Sequence, residues 1–235
     1  MSKQFDVLVI GGGPGSFIGA MHRLAAAMDN RYELVAAALS SNPEKSLSSG
    51  RELGLAPERV YASGLELITH ENKHPDGADV VAIMTPNDSH FELASAALEH
   101  GFDVICDKPM TNTVAEAERL HAAVEASGRI FCLTHNYTGY PMVRQAREMV
   151  AAGELGKLRR VEVEYLQDWL AAPVETTGAG AFGIVRIVYE VYGVEFAQTL
   201  NLLLPLAIIA SSALPDEIRH ISPILRSNWF WIHAL

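Results

Sequence analysis

The stretch VICDKPMTN, residues 104–112, closes an apolar run with an acid, a lysine and a proline in succession. Lys108 in that place is a candidate general acid/base, or an electrostatic clamp for an alkoxide or a ribose hydroxyl, because an amine exchanges protons and its charged form stabilises developing negative charge. Asp107 would hold the ammonium group and Pro109 would stiffen the turn. A surface ion pair at a strand end explains the same residues without chemistry. A second segment, GGGPGSFIGA at 11–20, places Gly11, Gly13 and Ser16 on the positions of G-x-G-x-x-G, with serine for the third glycine. Such glycines let the backbone turn and approach a pyrophosphate, whose charge then faces the amides and dipole of the following helix. A tight turn alone would use them too, but a place between a first strand and a first helix favours a dinucleotide.

Two further segments carry polar groups suited to the same ligand. LSSNPEKS at 39–46 offers Ser40, Ser41 and Asn42, with Lys45 nearby, where a site selective for NAD often carries an acid for the adenosine ribose. Without that acid NADP is admissible and NAD is not excluded; a polar turn capping the next helix is the plain alternative. TPNDSH at 85–90 presents Thr85 and Asn87 as short polar groups, and Pro86 fixes the turn. Asn87 or Asp88 would cap the helix that carries His90, so this segment reads as a helix start as readily as a ligand site.

The elements that must position these groups are legible as alternating patterns. FDVLVIG (5–11), YELVAAAL (32–39), ADVVAIM (78–84), FDVIC (102–106) and RIFCLTH (129–135) are short, apolar and bounded by turn residues, as strands are. Helical periodicity falls near 16–29, 44–54, 63–73, 88–100 and 113–127. Thr113 and Glu116 form a capping-box pattern, and Ser127-Gly128 ends that helix. Strand–helix alternation with continuously apolar strands predicts an α/β fold, a doubly wound parallel sheet of Rossmann type, in which ligands bind beyond the carboxyl ends of the strands. All four chemical segments follow predicted strands.

Composition narrows the partners. A chain of 235 residues holds one large domain, or one domain and a fragment of another, and 49% hydrophobic residues suffice for a core. A formal charge of −10, with no cluster of Lys and Arg, excludes a nucleic-acid surface. Cys106 and Cys132 both lie in apolar runs and read as buried thiols of a reducing compartment. The opening MSKQFDVLVIGGG enters a strand almost at once, so the expectation is a cytoplasmic protein without a secretory signal.

GGGPGSFIGAMHR, DVVAIMTPNDSHFELASAALEHGFDVICDKP and THNYTGYPMVRQAREMVAAGELGKLRRVEVEY, in this order and spacing, resemble the N-terminal half of the glucose-fructose oxidoreductase / inositol dehydrogenase / MocA-like oxidoreductases. The resemblance runs from about residue 4 to about residue 170. It implies an NAD(P)-binding Rossmann domain over 1–135, then a crossover helix and the first strand of a second domain over 136–170. It also implies hydride transfer between NAD or NADP and a sugar, cyclitol or related alcohol. The family's Glu-Lys-Pro motif is matched by Asp107-Lys108-Pro109, its acid one methylene shorter, and makes Lys108 the catalytic residue. By the same resemblance Gly11, Gly13, Ser16, Phe17 and Ile18 line the phosphates and the nicotinamide side, and Ser40 sits near the adenosine ribose. Thr85, Pro86, Asn87 and His90 line the cleft, and Asn136 lies near the nicotinamide end; no metal is assigned. His90 and His135 read equally well as residues that satisfy a helix or strand terminus.

The pattern then breaks. In the family a D-x-G-x-H-like segment supplies an aspartate and a histidine that work with the lysine, and none follows residue 170 here. Residues 171–235 are atypical: 196–215 carry no charge over 20 residues, which suits a membrane segment or a buried helix equally. LPDEIRHISPILRSNWFWIHAL resembles a segment of haem-handling membrane cytochrome c assembly proteins, and the plain reading is a fusion, a frameshift or a misassembled gene; His220 and His233 take no role. Two functions from different classes follow: an NAD(P)-dependent oxidoreductase, or a noncatalytic nucleotide-binding remnant tethered to a membrane through 196–215. The family associates through the exposed face of its second-domain sheet, most of which is missing here, so self-association is left open and strand 157–167 is an exposed edge.

Overall fold

The computed structural model describes residues 5–157. The expected strand 157–167, the tail 171–235, the candidate membrane segment 196–215 and the run resembling cytochrome c assembly proteins lie outside the described residues, apart from Lys157. Among the described residues no helix is long and apolar enough to cross a membrane. The chain divides into two units, one up to Thr134 and one that begins at His135.

The first unit alternates strand and helix as the patterns predict. In chain order these are β1 (Phe5–Gly11), α1 (Phe17–Met28), β2 (Tyr32–Ala38), α2 (Pro43–Glu52), α3 (Gly64–Glu71), β3 (Val80–Met84), α4 (His90–Glu99), β4 (Asp103–Cys106), α5 (Val114–Ser127) and β5 (Phe131–Leu133). All five strands are parallel, in the order β2-β1-β3-β4-β5. The chain leaves β1 toward β2, then crosses to the other side of β1 to lay down β3. The order of strands therefore reverses between β1 and β3, and a crevice opens beyond their carboxyl ends. A single parallel bridge, Ala37 to Val60, marks where the sheet stops outside β2. Sequence patterns missed that bridge because one residue carries no period.

Period-two alternation divides the strand side chains between two cores. Leu8, Ile10, Val81, Ile83, Val104 and Cys106 pack with Leu67, Leu93, Ala97 and Leu120 of α3, α4 and α5. Val7, Val9, Val80, Ala82 and Met84 pack on the opposite face with Leu39 and Leu55 and with partly buried Ile18 of α1. Burial on both faces is why the strands read as unbroken apolar runs. The capping box at Thr113 forms as expected, and α5 ends on Gly128 at φ +64°. Cys106 is buried, but Cys132 is only half-buried, because its strand lies at the edge of the sheet.

One acidic side chain lies fully buried inside this frame among the described residues. Glu71, at the end of α3, is completely inaccessible to solvent. Its carboxylate accepts from both Arg59 Nε and Arg59 Nη2, and from the Tyr61 hydroxyl at 2.8 Å. Burial, followed by the bond to Glu71, pushes the Tyr61 phenol up to about 12.

In the second unit a 3-10 turn, Asn136–Gly139, precedes α6 (Pro141–Ala151). Pro141 at its first position suits a helix start, because the missing amide would have had no intrahelical acceptor.

Candidate functional site

The site is built from the loops that follow β1, β2, β3 and β4, which share the carboxyl edge of the sheet. After β1 the chain turns at Gly11, where φ is +81° and an added Cβ would lie 2.7 Å from the Met84 carbonyl oxygen of β3. Only glycine lets the backbone leave the sheet there. The Arg23 guanidinium donates to the Gly12 carbonyl at 2.6 Å and holds the loop against α1. Ser16 is the N-cap of α1 and accepts from the Gly19 amide at 3.3 Å. The first turn of α1 contains no acid, so the positive end of the helix is not neutralised. Phe17 is exposed at this end, and Ile18 turns in against the sheet.

The third small residue of the glycine motif is not where the spacing suggests. A Cβ on Gly19 would lie 1.9 Å from the Gly12 carbonyl oxygen, so Gly19 makes the close contact between helix and loop while Ser16 caps. Gly19→Ala forces backbone against backbone. The expected cost is about 1–3 kcal/mol, read as a fall in Tm of about 2–12 °C, together with weaker NADH binding; an unchanged Tm would show that the loop has room to move.

After β2, the half-buried Ser40 hydroxyl accepts from the Asn42 amide at 3.1 Å, and Asn42 caps α2 by accepting from the Lys45 amide at 3.0 Å. The capping turn therefore forms, and the Ser40 hydroxyl proton stays available to a ligand oxygen. Fully buried Ser46 ties this corner together, accepting from the Leu39 amide at 3.0 Å and donating to the Tyr61 carbonyl at 3.0 Å.

After β3, the Ser89 hydroxyl reaches Thr85 Oγ1 at 2.7 Å and the Pro86 carbonyl at 2.8 Å. Pro86 is exposed, while Asn87 is buried within a 3-10 turn, Asn87–Ser89. Neither Asn87 nor Asp88 caps α4; Ser89 takes the capping position, but its hydroxyl faces back to the end of β3 and makes no capping bond. His90 is completely buried, with Nδ1 at 2.7 Å from the Pro109 carbonyl oxygen and Nε2 at 2.9 Å from that of Thr85. Both nitrogens face protein and the ring has no exposed surface, so His90 does not line the cleft as the resemblance implies.

After β4, the Asp107 amide extends the ladder to the Ile83 carbonyl at 2.9 Å. Asp107 accepts from the Lys108 backbone amide but forms no ion pair with its ammonium group. Its carboxylate accepts from the Thr134 hydroxyl at the end of β5, and His22 Nε2 of α1 lies 4.0 Å away, an ion-pair distance when the ring is charged. Sequence gave no sign of His22 or Thr134, because neither is near Asp107 in the chain. Lys108 is half-buried, and among the described residues it has no ion-pair partner. Cys106 is no competing nucleophile, because burial pushes its thiol up and keeps it neutral. Asn136 is exposed in the turn of the second unit.

Burial alone would push the Asp107 carboxyl up; the His22 ring and the Thr134 hydroxyl outweigh it and hold the group below the ordinary carboxylate value. Its contribution to stability is thus complete above about pH 5, where the unfolded carboxyl is almost fully ionised, and is lost progressively as pH falls through the unfolded value toward the lower native one. In acid unfolding followed by circular dichroism, Asp107→Asn is expected to start less stable and to lose less on acidification than the parent. Parallel acid limbs would contradict this.

The turn, helix end and strand edge fit a dinucleotide: a glycine loop that no Cβ could replace, an unneutralised helix N-terminus above it, and a polar corner after β2 without an acid at 40–42. Comparison with known proteins agrees. The profile of an oxidoreductase family described by its NAD-binding Rossmann fold matches residues 5–137. The oxidoreductase YfiI of Bacillus subtilis is 37% identical over 172 residues, which is 73% of this chain and 44% of that protein. Levoglucosan dehydrogenase of Pseudarthrobacter phenanthrenivorans is 32% identical over 178 residues, 73% of this chain and 43% of the enzyme. An inositol dehydrogenase homologue from Azotobacter vinelandii, solved with NADH and myo-inositol, superposes with a TM-score of 0.65 at 39% identity, covering 68% of this chain and 42% of that one. The chain spans less than half the length of these relatives.

Proposed function

This chain belongs to the Gfo/Idh/MocA oxidoreductase family with its NAD-binding Rossmann fold, and from that premise we propose that it binds NAD or NADP and serves hydride transfer to or from a sugar, cyclitol or related alcohol. The observation that carries this reading is Lys108, half-buried and without an ion-pair partner among the described residues, on the same sheet edge as the glycine loop. Only β3 separates β4 from β1, which sets the two loops about 10 Å apart across the sheet.

A bound nicotinamide supplies the hydride acceptor or donor that no side chain can. The residues of this chain do the rest. The amides at the start of α1 face the pyrophosphate, and Gly11 and Gly13 admit it. The Ser40 hydroxyl meets the adenosine ribose, and Thr85, Pro86 and Asn87 wall the cleft. Lys108 Nζ takes or returns the proton of the carbinol hydroxyl, so that charge does not accumulate on oxygen. No acid stands at 40–42 to repel a 2′-phosphate, which admits both cofactors.

The noncatalytic reading rests on one specific observation: residues 171–235 contain no D-x-G-x-H-like segment. Titration of the full chain with NADH and NADPH by fluorescence, followed by a panel of sugars and cyclitols with the oxidised cofactors, separates the two. Saturable binding with turnover supports the oxidoreductase. Binding without turnover leaves a nucleotide-binding module, and absence of binding overturns both.

A further inference from the structure

We infer that His90 is a positioning residue for Lys108: its two ring nitrogens bridge the carbonyls of Thr85 and Pro109 and so fix the backbone that carries the lysine. The inference rests on the reading of Lys108 given above.

His90 opens α4 with its side chain fully excluded from solvent. Both its partners are carbonyl oxygens, which only accept, so each contact requires a ring N–H. A neutral ring satisfies one of them at a time and a protonated ring both. In either state the ring lies between the segment that leaves β3 and the segment that leaves β4. A ring serving the cofactor would need a nitrogen turned to the cleft, and both are spent on the protein.

The two residues flanking Lys108 are thereby pinned from opposite sides. Asp107 is tied through its carboxylate to Thr134 at the end of β5, and Pro109 through its carbonyl to His90 of α4. Lys108 between them makes no ion pair with a described residue. A side chain of four methylenes reaches a defined place only if its backbone is held, and this arrangement holds the backbone without occupying the amine. A histidine that merely satisfied the start of α4 would affect stability and leave the lysine indifferent.

The test uses the full chain, His90→Leu and His90→Asn, whose amide nitrogen stands near the place of Nδ1. Lysines are acylated in competition across pH, with and without NADH, and Lys108 is quantified by mass spectrometry against Lys157. The expected result is that NADH shields Lys108 in the parent and in His90→Asn but not in His90→Leu, while the affinity for NADH changes by no more than about twofold. Where turnover is measurable, kcat of His90→Leu falls about 100-fold at constant KM for the cofactor. A cooperatively folded His90→Leu in which Lys108 is still shielded overturns the inference.

If His90→Leu does not fold, the imidazole 15N–1H spectrum of the parent decides. An exchange-protected ring N–H that disappears in His90→Asn supports the bridge, and its absence refutes it. If the parent itself fails to bind NADH, the proposed function falls on its own. The labelling profile of Lys108 without cofactor then decides the inference, a shift in His90→Leu supporting it and superposable profiles refuting it.

Discussion

Lys108→Ala is expected to lower turnover by about 10²–10⁴-fold while leaving NADH affinity within about twofold of the parent. The split follows from where the lysine stands. In the proposed function the cofactor is held by the loop after β1, the first turn of α1 and the corner after β2, none of which Lys108 holds in place. The role proposed for its amine is proton transfer with the reacting hydroxyl, which is felt in the transition state far more than in the ground state. Truncation also leaves the fold alone, because Lys108 makes no ion pair with a described residue that its loss would orphan. Steady-state kinetics with the alcohol that turns over, beside a fluorescence titration, measures both halves. Unchanged turnover would remove Lys108 from the chemistry. Lost NADH binding would make it a cofactor ligand instead.

Arg59→Met is expected to destabilise the first unit by about 3–5 kcal/mol, a fall in Tm of about 6–20 °C. Glu71 is completely buried and, among the described residues, depends on the Arg59 guanidinium for its charge partner, with the Tyr61 hydroxyl besides. Removing the guanidinium strands a carboxylate away from water, and that uncompensated charge is the source of the cost. The triple variant Arg59→Met/Tyr61→Phe/Glu71→Met removes every polar member of the group and is expected to recover most of the loss, because a buried ion pair and well-packed apolar residues of similar volume differ little. Thermal melts of the parent, single and triple variants decide the matter. A triple variant no better than the single would show that the network itself, not the stranded charge, holds α3 to the segment after α2.

The two variants probe parts of the molecule that differ in how visible they are in the amino-acid sequence. Lys108 could be picked out by its neighbours in the chain: an apolar run, then acid, lysine and proline where a buried strand must stop. Glu71 could not. It sits at the end of an ordinary amphipathic helix, and nothing within ten residues distinguishes it from a solvated glutamate; Arg59 lies 12 residues away and Tyr61 10. The glycine loop stands between these extremes. Its presence follows from composition and place, with Ser16 on the motif's third position, but that helix and loop meet most closely at Gly19 is seen only in the structure.

Sequence by itself determined the strands and helices, the parallel doubly wound sheet, the capping of α5 by Thr113 and the four loops on which a ligand must sit. These depend on hydrophobic period, caps and turn residues, which act over one or two turns of chain. Tertiary structure alone decided which side chains meet at the carboxyl edge. Asp107 finds Thr134 from 27 residues away and His90 finds Pro109 from 19 away, and the expected partner, Lys108 beside Asp107, is left without an ion pair among the described residues. Neighbours in a strand point to opposite faces, whereas strand ends distant in the chain are brought together by the order of the sheet. The physical reason is that sheet order is fixed by the burial of two whole faces at once, a property that no local window of residues contains.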